Sequence, residues 1–381
     1  MTSSPFLVEC FRMEKVLLLY VFEKSGHHLA ALAIDKAIGE LKGEALTVNF
    51  LNHTNTHLNQ VVQKSYLSLL HNTPEIWDYL YDNLRVARKI TKVKEFINKL
   101  NSRKLEALIE SFSPEAVICT QAFPCGVMAA YKEKRNKNLP LIGVVTDYIA
   151  HCYWLYDQVD IYAVPHETTQ QDLMDKGIEK ERIRITGIPI APRFARRENK
   201  DEIRERANLN PHLPTILIMG GSQGLGPVEE IVSNLDALPL SFQMIVVTGL
   251  NKDLRKGLEK RQGRMTKSIR ILEYTDKVEE LMEISDIIIT KPGGLTTAEA
   301  LVKGLAIVIT GCLPGQEERN SRFLVDEGVA IRADEGKGVA AIVAGLLRNP
   351  DQLSSLQAKA KELSRPEASF DIARIILEAV S

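Results

Sequence analysis

The sequence predicts an α/β chain built as two doubly wound, Rossmann-like domains that face a central cleft. Three observations lead there. At 381 residues the chain exceeds what one compact core usually holds, so two units are expected. Short apolar runs alternate with longer amphipathic stretches, as parallel strands joined by crossover helices require. The alternation occurs twice, on either side of a proline-containing turn and the charged, weakly apolar stretch Arg196 to Arg206. The boundary therefore divides residues 1–195 from residues 196–381. The final helix, about Asp371 to Val380, is placed to pack back on the first domain.

In chain order, the first half offers strands at Lys15 to Phe22, Ala116 to Thr120, Leu141 to Val145 and Ile161 to Val164. The second offers Thr215 to Met219, Gln243 to Thr248, Ile269 to Leu272, Ile287 to Thr290 and Ala306 to Ile309. Ligands of such sheets bind beyond the carboxyl ends of the strands, so two facing domains place a site between them.

Composition narrows the function classes. Hydrophobic residues at 45% and charged residues at 25% argue against disorder, and no apolar run reaches spanning length. A formal net charge of -1 supplies no global field for nucleic acid. Cys10, Cys119, Cys125, Cys152 and Cys312 show no C-x-x-C spacing, which speaks against a zinc site or disulfide framework and for a reducing compartment. The N-terminus lacks the pattern of a secretory signal, so a cytoplasmic location is expected.

Three loops at successive strand ends carry the chemistry. Gly220-Gly221-Ser222-Gln223-Gly224-Leu225-Gly226-Pro227 follows one strand and opens a helical pattern at Val228. Glycines there let backbone N–H groups approach an anion at a helix N-terminus, and a diphosphate would fit. Lys291-Pro292-Gly293-Gly294-Leu295-Thr296-Thr297-Ala298-Glu299 repeats the device, with Glu299 about one turn into its helix, where a carboxylate can accept from both hydroxyls of a ribose. After the next strand, Gln316, Glu317 and Asn320 add groups suited to sugar hydroxyls. A bare strand-to-helix turn explains any one of these loops. All three together favour a nucleotide-sugar site.

At these residues the sequence resembles glycosyltransferase family 28 in its glycerolipid branch, the monogalactosyldiacylglycerol synthases and processive diacylglycerol glucosyltransferases. The blocks that carry the likeness are Ser25-Gly26-His27, Val145-Thr146-Asp147 with His151 and Trp154, Thr186 to Ile190, the Gly220 turn, Thr290 to Ala300 and Pro314 to Asn320. The resemblance implies a GT-B fold, an inverting reaction and a UDP-sugar donor, with no cofactor required. UDP-glucose or UDP-galactose would be the donor and diacylglycerol or a related lipid the acceptor.

The likeness also implies that Gly221 and Ser222 face the diphosphate and uracil region, and that Thr248, Gly249 and Asn251 with Tyr274 line the base pocket. Gly26, Gly220, Lys291 and Gly293 complete the donor site. Gly294, Leu295 and Thr296 would meet the phosphates, Glu299 the ribose, and Gln316, Glu317 and Asn320 the sugar. The family commonly has Arg where this chain has Ala191, and Arg193 is the candidate replacement.

An inverting transfer needs a base for the acceptor hydroxyl. His27 follows Gly26 at a strand-to-helix turn and is the first candidate, with capping or phosphate binding as its other reading. Asp147 is the rival base or the group that orients it. His151, four residues on, would share its face if a helix follows, and His151 and Trp154 would lie on or behind the acceptor side. No Asp-x-Asp sits at a strand end, so no metal is expected.

Between Arg85 and Lys104, residues Arg85, Arg88, Lys89 and Lys92 head a basic, amphipathic stretch suited to an anionic membrane surface, or simply to a solvated helix face. Peripheral attachment at the inner membrane face is the expectation. Three other readings share the donor site: N-acetylglucosaminyl transfer to an undecaprenyl-linked muramyl peptide, a non-hydrolysing UDP-N-acetylglucosamine epimerase, and a UDP-sugar-sensing protein.

Overall fold

The computed structural model describes residues 15–53, 103–135, 138–313, 315–333 and 336–380. In the first half β1 (Lys15–Tyr20) leads into α1 (Gly26–Glu40), followed by β2 (Glu44–Asn49), α2 (Arg103–Phe112), β3 (Ala116–Cys119) and α3 (Ala122–Arg135). Then come β4 (Leu141–Val144), β5 (Ile161–Val164), α4 (Glu167–Asp175) and β6 (Ile183–Ile185). A linker helix, α5 (Lys200–Arg206), precedes β7 (Thr215–Met219), α6 (Val228–Asp236), β8 (Gln243–Val247), α7 (Lys252–Gln262) and β9 (Ser268–Leu272). The chain closes with α8 (Val278–Glu283), β10 (Ile287–Thr290), α9 (Gly294–Lys303), β11 (Ala306–Ile309), α10 (Gln316–Asp326), β12 (Ala330–Arg332), α11 (Gly336–Arg348), α12 (Pro350–Leu363) and α13 (Ala368–Val380).

The strands form two six-stranded parallel sheets, ordered β2-β1-β3-β4-β5-β6 and β12-β11-β10-β7-β8-β9. Each is doubly wound, as the sequence predicts, and each reverses direction once: between β1 and β3, and between β7 and β10. Loops leaving those paired strands part to opposite faces and leave a crevice between them. All nine strands read from the sequence are present, most within a residue at each end; β1 stops at Tyr20, two residues before the predicted Phe22. Three strands went unread, β2, β6 and β12, and all three are edges. An edge strand has one neighbour and is half buried, so it lacks the continuous apolar run of a central one.

Apolar side chains cover both faces of each sheet. Beneath the first, Leu17, Leu19, Val117 and Val145 pack with Trp154 and Tyr162. On its other face Val16, Leu18 and Ile142 meet Ala31, Ile34 and Ile38 of α1, and Ile372, Ala373 and Ile376 of α13 complete the layer. The C-terminal helix thus supplies core to the first domain. One cluster crosses between domains: Ala30, Tyr148, Ile188 and Ile190 pack with Leu295 and Phe323.

The linker is pinned to the second domain by a buried ion pair. Lys303 Nζ lies 2.6 Å from Glu283 Oε2 and donates to Arg196 O at 2.9 Å. Among the described residues no helix is long and apolar enough to cross a membrane. Arg85, Arg88, Lys89 and Lys92 lie outside the described residues.

Candidate active site

The first domain contributes the loop between β1 and α1. Ser25 caps α1 through its hydroxyl, which accepts from His28 N at 3.2 Å, and this puts His27 in the first turn. His27 Nδ1 lies 3.0 Å from Thr120 O and 2.8 Å from Thr146 Oγ1. A carbonyl oxygen can only accept, so Nδ1 carries the proton and Nε2 keeps its lone pair. Thr120 Oγ1 donates back to His27 O at 2.9 Å and fixes the loop. Burial lowers the His27 pKa to about 4, with the Thr120 hydrogen bond opposing the shift. The positive pole of α1 pushes in the same direction as burial. At neutral pH the imidazole is uncharged and able to accept a proton.

His28 turns away, as helical geometry predicts, and stacks on Tyr20 with ring centroids 4.1 Å apart.

Asp147 lies beyond the end of β4 and is 6% exposed. Its Oδ1 accepts from Asn320 Nδ2 at 2.8 Å. Burial pushes its pKa up to about 7, Asn320 pulls it down and Glu317 adds to the rise.

No helix follows Asp147: the chain bends, and a short 3-10 turn begins only at Cys152. The shared helical face expected for Asp147 and His151 is therefore corrected. His151 instead precedes that turn, its pKa lowered to about 3 chiefly by burial and then by the neighbouring His27. Trp154 is 2% exposed and sits in the core of the first domain, where the 3-10 turn folds it under the sheet against Gly143 and Tyr162.

In the second domain the turns after β7 and β8 interlock. Gly221, Gly224 and Gly249 have φ of +72°, +58° and +60°, and a Cβ on Gly224 would lie 2.1 Å from Thr248 O. Only glycine allows that approach in that conformation. Ser222 O accepts from Leu250 N at 2.9 Å and closes the pair of loops.

Asn251 lies beside them, but its carboxamide is used locally: Oδ1 caps α7 by accepting from Leu254 N at 2.9 Å, and Nδ2 donates to Gly224 O at 3.2 Å. It shapes the predicted base pocket as a helix cap. Tyr274 faces the other domain, its ring 4.9 Å from Lys24 Nζ.

Gly293 caps α9, and Gly294 and Leu295 begin it. A Cβ on Gly294 would lie 2.0 Å from Thr146 O, and one on Gly26 would lie 3.5 Å from Leu295 Cβ. The amino ends of α1 and α9 therefore converge from opposite domains. The N–H groups of their first turns and their positive poles make that junction suited to a diphosphate. Leu295 meets it through its backbone alone, since its side chain belongs to the interdomain apolar cluster. Thr296, half-buried, follows in the same first turn, and Gln316 opens α10 next to it in the sheet order.

Lys291 Nζ donates to Glu317 Oε1 at 2.7 Å, while Glu317 Oε2 accepts from Leu313 N at 3.0 Å. Glu299 is 8% exposed, and burial pushes its pKa up to about 8; nearby Arg193 opposes the rise and Glu279 adds to it. Arg193 pairs with Glu279 at 3.0 Å and donates to Asp276 O at 2.8 Å, so its charge points at the start of α8 rather than at the glycine turns.

Asn320, expected at the sugar, is 1% exposed. It donates to Asp147 and to Pro292 O at 3.1 Å and accepts from Tyr148 N at 3.0 Å, which fastens one domain to the other. Thr120 and Thr146, which hold His27, were not singled out in the sequence. The available signal was their position at the ends of strands whose loops face the cleft.

Residues 27–190 match the family model of monogalactosyldiacylglycerol (MGDG) synthase, and residues 215–371 match that of the glycosyltransferase family 28 C-terminal domain. Among curated proteins, the processive diacylglycerol beta-glucosyltransferase of Bacillus subtilis (strain 168) is 29% identical over 367 residues, covering 96% of this chain and 95% of that one. The Bacillus pumilus (strain SAFR-032) protein of the same name is 28% identical with the same coverage. Among solved structures, Acinetobacter baumannii MurG superposes with a TM-score of 0.65 at 16% identity, covering 96% of this chain and 99% of that one. Anabaena HepE in complex with UDP-glucose gives a TM-score of 0.58 at 14% identity, with the same two coverages. The two family models divide the chain as the two sheets do, each taking one side of the cleft. The chain thus has the GT-B fold and belongs to glycosyltransferase family 28, in its glycerolipid branch.

Proposed function

We propose that this glycosyltransferase moves glucose from UDP-glucose to diacylglycerol with inversion, forming a β-glucosyl-diacylglycerol at a membrane surface. The observation that carries the proposal is His27. Its Nδ1 proton is committed to the Thr120 carbonyl and its Nε2 lone pair is free, where the amino ends of α1 and α9 meet. The names of the curated relatives favour glucose and diacylglycerol over other pairs.

In this mechanism His27 Nε2 takes the proton of the acceptor hydroxyl as its oxygen attacks the anomeric carbon from the face opposite UDP. The bond between that carbon and the β-phosphate oxygen breaks, and both its electrons leave with UDP. The Thr120 carbonyl steadies the imidazolium that results. Charge on the departing diphosphate is met by the amino end of α9, the Gly220 and Gly221 turn and Lys291. Glu299 holds the ribose, Gly249 and Tyr274 border the base, and Gln316 with Glu317 reads the sugar. Asp147, tied to Asn320, positions the first domain against the second rather than serving as the base. Arg85, Arg88, Lys89 and Lys92 would meet the anionic surface that presents the lipid.

The test is mass spectrometry of lipid products from purified protein given diacylglycerol vesicles with UDP-glucose or UDP-galactose in parallel. A hexosyl-diacylglycerol from UDP-glucose, with a β-anomeric NMR coupling, is expected. UDP release with no glycosylated lipid from either donor would sink the proposal.

A further inference from the structure

Lys291 lies between the two glycine turns: a Cβ on Gly221 would meet Lys291 Cε at 3.0 Å, and Gly293 is two residues along the chain. Among the described residues it is the cation best placed to meet a diphosphate in that cradle, yet its ammonium is held by Glu317 at 2.7 Å. The Glu317 side chain is 13% exposed, so the pair is largely removed from water. Glu317 is also anchored through its second oxygen to Leu313 N at 3.0 Å. A negative charge thus stands beside the place a second negative charge must occupy. Close like charges in a poorly solvated site repel strongly, so a diphosphate and Glu317 compete for one lysine.

We propose that Glu317 is a specificity-determining counter-ion that gives up Lys291 to an intact sugar nucleotide and reclaims it from spent UDP; this rests on the donor-site reading above. With a UDP-sugar bound, the carboxylate that loses Lys291 gains the hydroxyl donors of the sugar, so the exchange is nearly balanced. With UDP alone there are no hydroxyls to replace the ammonium. Glu317 then keeps its claim on Lys291 and weakens retention of the product. The pair favours donor over product and speeds emptying of the site after each transfer.

The assay is calorimetric titration of the full chain with UDP, UDP-glucose and uridine, using wild type, Glu317→Gln, Lys291→Ala and the double variant. Glutamine keeps an oxygen for Leu313 N but removes the charge that holds Lys291. Glu317→Gln is therefore expected to bind UDP about 3- to 10-fold more tightly and UDP-glucose no more tightly, which erases the preference for donor over product. Product inhibition of transfer by UDP should strengthen by the same factor. Uridine, which has no phosphate, should bind all four proteins alike.

In the Lys291→Ala background, Glu317→Gln should lose its tightening effect on UDP, because the two residues act through one contact. Weaker or unchanged UDP binding by Glu317→Gln, or a tightening that persists without Lys291, overturns the exchange while leaving the donor site intact. No UDP binding by the wild-type chain overturns the donor-site reading and the exchange together.

Discussion

Glu299 gives the most quantitative prediction. Its carboxyl is 8% exposed and its pKa is pushed up to about 8, chiefly by burial. Two ribose hydroxyls that both donate need an ionised carboxylate, since a protonated carboxyl offers a donor where an acceptor is required. At pH 7 a group of pKa about 8 is ionised to only about one part in ten, and at pH 9 to about nine parts in ten. UDP-glucose affinity should therefore rise about tenfold between pH 7 and 9, equivalent to about 1.4 kcal/mol. Binding at pH 7 should release about 0.9 proton, read by calorimetry in buffers of different ionisation enthalpy. The phosphodiester groups of UDP-glucose do not titrate in this window, and uridine, which carries the same ribose, should show the same slope. Glu299→Gln should bind weakly at every pH and lose the slope. A flat affinity from pH 7 to 9 with no proton release would refute the assignment of Glu299 to the ribose.

The same shift bears on stability. Because the folded pKa of Glu299 lies above its unfolded value, its contribution is full below about pH 4.5 and is lost as pH rises through about 8. The ligand-free protein should thus melt lower at pH 8.5 than at pH 6, and Glu299→Gln should flatten that difference. Gly293→Ala should fold with an unchanged melting temperature, since its Cβ would meet nothing within 4 Å and its φ is -71°, yet it should weaken UDP binding by filling the anion cradle. Gly294→Ala, whose Cβ would lie 2.0 Å from Thr146 O, should instead lower the melting temperature by forcing the domains apart. His27→Gln should lower kcat about 10²- to 10⁴-fold with little change in UDP-glucose affinity, the range for loss of a general base, measured by lipid-product formation and calorimetry. Asn320→Ala strands Tyr148 N and Asp147 and should destabilise the protein by about 1–3 kcal/mol for each buried group left unpaired, read by denaturant unfolding.

Much of the site was legible because its loops leave central strands. The runs Ile287–Thr290 and Thr215–Met219 are apolar but for one terminal threonine each, so their ends, and the glycine turns that follow, could be fixed from residue type alone. What the sequence left open was side-chain direction. Trp154 and Asn320 sit in blocks that read as functional, but one is core and the other a bridge between domains. Asn251 lies beside the glycine turns with its carboxamide turned to capping. Arg193 was offered as a phosphate contact and pairs with Glu279. Each of these outcomes depends on a neighbour more than 20 residues distant, or on a local turn whose bends leave no period in the sequence.

By itself the sequence determined the two-sheet α/β architecture, the glycine-rich strand ends and the residue types of the candidate nucleotide-sugar site, because hydrophobic period and glycine turns are local properties. Tertiary structure alone decided which strands are neighbours. It set β1 beside β3 and β7 beside β10, and so placed His27 against Thr120 and Lys291 within reach of both Gly221 and Glu317. It also decided protonation. The shifts of His27 to about 4, Asp147 to about 7 and Glu299 to about 8 come first from burial, a property no residue has until the chain folds around it.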